Sequence, residues 1–77
     1  MSMKKPRIVE IHNITYANVP KGENGWISVE DYLPILFDLV ELDCGEKLIA
    51  GWFTGHGWDG KRFKKTYVVK RWRRLKF

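Results

Sequence analysis

No stretch of this 77-residue chain carries apolar residues at a 3.6-residue period over three helical turns. Four segments show short β-type patterning instead, separated by clusters of Gly, Pro and Asn. The pattern predicts a mainly β (small α+β) fold: a four-stranded antiparallel meander or half-barrel with one short helical turn near 28–33. A chain of this length forms a single domain, 1–77, and buries only about 60% of the surface its unfolded form exposes. Its ends, 1–6 and 74–77, are the candidates for disorder.

The first predicted strand is "RIVEIHNITYANV", residues 7–19, whose two alternating sets both contain apolar residues. The loop "PKGENG" follows at 20–25. In "GWISVEDYLP", Ser28 followed three residues later by Asp31 resembles a capping box, and Pro34 would stop the turn early. The apolar residues of this element, Trp26, Ile27, Val29, Tyr32 and Leu33, are expected over the open side of the sheet. "LFDLVELD" and "KLIAGWFTG" form a hairpin with Gly45 in the left-handed position. A three-residue turn at 43–45 would set Glu41 against Lys47 and put Val40 and Leu42 on the face of Leu48, Ala50 and Trp52; a two-residue turn would reverse the faces. The loop "GHGWDGKR" leads to a last strand in "KTYVVKRWRRL".

Cys44 is the single cysteine, so no internal disulfide can form. No apolar run is long enough to span a bilayer, and no apolar stretch follows the basic N-terminus to make a signal peptide. These features give the expectation of a cytoplasmic protein without a membrane partner. The acceptor-like triplet Asn13-Ile14-Thr15 is then without consequence.

Catalysis finds few parts. Cys44, His12 and His56 stand in distant segments with no paired spacing, so neither a nucleophile–base pair nor a zinc site is expected, and no cofactor. The acids Asp38, Glu41, Asp43 and Glu46 surround one hairpin and read as charges that keep a sheet edge soluble. "GHGWDG" lacks the lysine of a phosphate-cradling loop.

Charge supplies the strongest functional signal. Residues 1–60 hold five basic and nine acidic side chains, whereas 61–77 hold nine basic and none acidic, for a net +5. Lys61, Arg62, Lys64, Lys65, Lys70, Arg71, Arg73, Arg74 and Lys76 are the candidate contacts to a partner surface or to phosphates. Trp58 and Phe63 are the candidate aromatic contacts; Trp72 either packs in the core of the last strand, the favoured reading, or stands exposed as a stacking platform for bases. Such an asymmetry steers an anionic partner toward the C-terminal end, less so as salt rises.

The ordered motifs Trp26-Ile27-Ser28-Val29, Leu33-Pro34, "GWF" and Val69-Lys70-Arg71-Trp72 resemble the small phage and prophage proteins grouped as domain of unknown function 551. Those proteins typically open on W-I-S-V-x-x-x-L-P and close on V-x-x-W-x-P-L-P. The likeness covers residues 26–75, with Arg74 in place of a proline, and "RWRRLKF" is far more basic than the usual ending. It implies a small β-rich fold and a phage accessory context in an infected or lysogenic bacterial host, with no established activity. The expected function is therefore non-enzymatic: binding and modulating a host protein, such as a defence or nucleic-acid-processing factor, through the basic end. Sequence-tolerant nucleic-acid binding by the same residues is the competing expectation, and a homo-oligomer a weaker one.

Overall fold

The computed structural model describes residues 5–75 and is mainly β. Its strands are β1 (Arg7–Ile8), β2 (Ile27–Ser28), β3 (Tyr32–Leu33), β4 (Val40–Asp43), β5 (Leu48–Phe53), β6 (Trp58–Asp59) and β7 (Arg71–Arg74). Five of them form an antiparallel sheet in the order β2-β7-β4-β5-β6, while β1 and β3 make a small parallel pair. Helical structure among the described residues is confined to two 3-10 turns, Tyr16–Asn18 and Glu23–Gly25. None of these helices could cross a membrane.

The strand order differs from the expected meander. The C-terminal strand enters between β2 and β4, so the two ends of the sequence motif become neighbours: Ile27 stands opposite Trp72 and Trp72 opposite Leu42. With Leu42 opposite Ile49, one row of apolar side chains crosses four strands on the inner face. Trp72, Leu42 and Val40 are fully buried there, and each large side chain so removed from water contributes roughly 1.5–3 kcal/mol.

The predicted first strand is shortened to β1. Glu10 (φ 71°) and Asn13 (φ 56°) occupy the left-handed region, which ends any extended run. The Glu10 N–H donates to Ile14 O at 2.7 Å and the chain reverses. This irregular segment covers the inner face of the sheet with Val9, Ile14 and Val19. Tyr16 joins them at 6.0 Å from Trp72. Its hydroxyl donates to Asp38 Oδ2 at 2.5 Å and accepts the Ile35 N–H at 3.0 Å. Burial, reinforced by the bond to Asp38, raises that phenol above its usual range.

The helical turn expected near 28–33 is a reverse turn. Ser28 does accept backbone N–H groups, its carbonyl from Asp31 at 3.1 Å and its hydroxyl from Glu30 at 3.2 Å. The chain then extends at once, because Leu33 O receives the Val9 N–H at 2.9 Å and Tyr32 O receives the Trp72 indole N–H at 2.8 Å. Ile27 from this element belongs to the sheet itself, and Trp26 packs beneath two arginines of β7 on the outer face.

The β4–β5 hairpin pairs Asp43 with Leu48, which leaves a four-residue loop rather than three. Val40 and Leu42 consequently share their face with Ile49, Gly51 and Phe53, the reverse of the three-residue-turn arrangement. Gly45 does take the left-handed conformation, φ 90°. Gly51 is small for a reason: a Cβ there would lie 2.5 Å from Asp59 O and 2.7 Å from Leu42 Cδ1. The final strand is limited to four residues. The segment before it folds as two successive turns, closed by Phe63 N–H to Gly60 O at 3.2 Å and Tyr67 N–H to Lys64 O at 2.9 Å.

Candidate functional site

The register of β7 against β4 sorts the basic residues into groups with different surroundings. Arg71 stands directly opposite Asp43, and Arg73 opposite Glu41. Opposed residues of an antiparallel pair point to the same face with their Cβ atoms close together, so the two pairs form a ladder across the outer face. Arg71 Nε donates to Asp43 Oδ2 and Arg73 Nε to Glu41 Oε1, each at 2.6 Å. Arg73 also donates through Nη1 to Asn24 O at 3.0 Å. Both guanidinium groups lie over the Trp26 ring, at 4.8 and 4.2 Å from its centroid. Arg71 and Arg73 are therefore structural cations whose charge is already matched.

This ladder corrects the reading of Glu41 and Asp43 as edge-solubilising acids, because β4 is an interior strand bonded on both sides. Asp43 is nearly buried; its carboxyl is held below the usual carboxylate value, first by the Arg71 hydrogen bond and further by the Gly45 N–H. Trp26, as the platform under both arginines, was not among the candidate contacts. The signal for the ladder was present in the sequence as Glu41-x-Asp43 and Arg71-x-Arg73, two period-2 pairs of opposite charge.

The second group is exposed. Lys61, Arg62, Lys64 and Lys65 sit on the two successive turns, and Lys70 follows them, anchored by its backbone N–H to Asp43 O at 3.0 Å. None of these five has a carboxylate within 4.0 Å among the described residues. Arg74 is directed to the opposite side of the sheet from Arg73 and lies 4.5 Å from the Tyr16 ring centroid. Lys76 lies outside the described residues.

The aromatic candidates are packed within the fold. Trp58 is half-buried, 5.1 Å from Phe53, and Phe63 is half-buried in an edge-on contact with Tyr67 at 6.0 Å. Trp72 is wholly enclosed, as expected.

Burial, followed by the Asp43 charge, raises the Cys44 thiol, which lowers its thiolate fraction. His12 Nδ1 accepts the Ile8 N–H at 2.7 Å, a local tie within one turn. Among the described residues no group of three or more His, Cys, Asp or Glu side chains gathers as metal ligands would. What the surface offers chemically is concentrated positive charge on a pair of hydrogen-bonded turns. Neither a family model, nor a curated protein, nor a solved structure shows significant similarity to this chain.

Proposed function

We propose that this chain is a non-enzymatic accessory protein of phage type that docks on an acidic surface of a host protein and modulates it. The observation that carries the reading is the contrast between the two groups of cations. Arg71 and Arg73 are neutralised within the sheet, whereas Lys61, Arg62, Lys64, Lys65 and Lys70 are held outward with no acid paired to them among the described residues. Clustered like charges repel one another, and an anionic partner relieves that cost. The packing of Trp58 and Phe63 favours a protein over single-stranded nucleic acid, since base stacking needs free aromatic faces. The ordered motifs of residues 26–75 support the phage setting and a host factor, such as a defence or nucleic-acid-processing protein, as the target.

The test is affinity capture from bacterial lysate with and without nuclease, using the natural chain and a Lys61→Ala/Arg62→Ala/Lys64→Ala/Lys65→Ala variant. The reading requires one protein that survives nuclease with the natural chain and is lost with the variant. If all captured material disappears with nuclease, nucleic-acid binding replaces it. A titration with oligonucleotide would then give a logarithmic salt slope of roughly −0.7 to −0.9 per phosphate contacted.

A further inference from the structure

A groove of about 930 Å³ runs beside β2, on the side of the molecule where the N-terminal segment meets the end of the turn region. That volume falls in the range of clefts that hold ligands. Lys5 and Arg7 from the N-terminal segment line it together with Lys70 and Arg71, residues more than sixty positions away in sequence. Their meeting follows from the topology. The Arg7 N–H bonds to Asp31 O at 3.2 Å, the Val29 N–H to Lys70 O at 3.3 Å, and the reverse turn at 28–31 links the two. Arg71 is matched by Asp43, but Lys5, Arg7 and Lys70 have no carboxylate within 4.0 Å among the described residues.

Two further wall residues define the ligand class. Glu23 and Asp31 also line the groove, and Trp26, Ile27 and Tyr32 give it an apolar component. A phosphodiester chain carries a negative charge at every nucleotide and would meet those two carboxylates at close quarters. A peptide can place acidic side chains against Lys5, Arg7 and Lys70 while presenting neutral backbone N–H groups to Glu23 and Asp31, and an apolar side chain to the half-buried Tyr32. We infer that this groove binds an extended acidic peptide segment of the partner. The inference rests on the protein-docking reading and adds Lys5 and Arg7 to the surface that performs it. The exposed turns at 61–65 and the groove contact different parts of one acidic partner, so a whole partner needs both, while a short peptide needs the groove alone.

The probe is the hexapeptide acetyl-Glu-Ser-Glu-Val-Glu-Ser-amide, which extended spans roughly 20 Å. It is titrated into the full chain at low salt and followed by amide shifts in two-dimensional NMR. Its Gln-for-Glu counterpart and a thymidine hexanucleotide serve as comparisons. The acidic peptide is expected to shift the amides of Arg7, Ser28, Tyr32 and Lys70, and the Gln peptide to leave them in place. Lys5→Ala/Arg7→Ala should weaken binding about two- to thirtyfold, as removal of two exposed ion pairs implies. The four-alanine variant at 61–65 should retain the groove shifts.

The inference is overturned if the peptide shifts only residues 61–65 or none, if the Lys5/Arg7 variant binds as the natural chain does, or if the hexanucleotide occupies the groove at lower concentration than the peptide. Nuclease-resistant capture of a protein with no groove shifts would leave the docking reading standing and remove the groove from it. Groove shifts together with wholly nuclease-sensitive capture would do the opposite.

Discussion

Asp43 serves Arg71 and Gly45 with its two oxygens: Oδ2 accepts the Arg71 Nε–H at 2.6 Å, while Oδ1 accepts the Gly45 backbone N–H at 3.0 Å. One carboxylate thus ties β4 to β7 and closes the turn that leads into β5. The Asp43 side chain is only 11% exposed, whereas that of Arg71 is 47% exposed, so solvent weakens the ion pair more than it weakens the turn bond. Asp43→Ala removes both bonds and should cost about 2 kcal/mol. Asp43→Asn keeps an oxygen for the Gly45 N–H and should restore roughly half of that loss. Urea denaturation of the three proteins gives the comparison; an Asn variant as unstable as the Ala variant would show that the turn bond contributes nothing.

The same carboxyl makes stability depend on acid. Its pKa is lower in the folded chain than in the unfolded one, chiefly because Arg71 donates to the ionised form. The unfolded state therefore takes up the proton first as pH falls. The stabilisation is complete above the ordinary carboxylate value of about 3.9 and drains away below it, through the folded-state value. The difference in urea midpoint between the natural chain and Asp43→Asn should be constant near neutrality and shrink below about pH 4. A difference that grew on acidification would contradict the pairing.

The parts of this molecule that local pattern made legible are the ones local physics decides. Gly45 had to supply a left-handed backbone wherever the hairpin turned, and Trp72 had to be buried by an otherwise thin core. The hairpin register was not legible, because turns of different length can each use Gly45 at their left-handed position while reversing which side chains face inward. Residues 7–19 read as a strand from their alternating pattern, with apolar residues on both faces leaving the buried one open; that pattern did not announce that Glu10 and Asn13 would adopt positive φ. The candidate surface divided only once β7 was placed beside β4. Strand order is a property of the whole chain, and it alone separates Arg71 and Arg73, which meet acids, from Lys61, Arg62, Lys64 and Lys65, which meet none among the described residues.

Glycine tolerance should differ sharply between two nearby positions. A Cβ at Gly51 would stand 2.5 Å from the Asp59 carbonyl oxygen and 2.7 Å from Leu42, so β5 could admit it only by pushing β6 away. Gly51→Ala should cost about 1–3 kcal/mol or more, the usual range for overpacking. A Cβ at Gly57 meets nothing within 4 Å, and its backbone is not left-handed, so Gly57→Ala should leave the thermal midpoint close to that of the natural chain. Equal effects at the two sites would mean that β5 and β6 are not in the close contact described.

Phe37 presents the opposite situation, a bulky residue in a conformation suited to a small one. The Asp38 N–H donates to Ile35 O at 3.1 Å, closing a four-residue turn whose third member, Phe37, has φ 64°. Glycine or asparagine ordinarily fills such a position, since a left-handed conformation costs other residues about 1–2 kcal/mol. The ring offers little in return, being 66% exposed. Phe37→Asn should accordingly raise stability by about 1 kcal/mol while keeping the Phe37 N–H bond to Phe53 O. Phe37→Ala discriminates the cause: alanine removes the ring but retains the strain, and should bring no gain. If both variants lose stability equally, the ring's packing outweighs the backbone conformation. If Asn alone gains, the aromatic is kept at this turn against the preference of the fold.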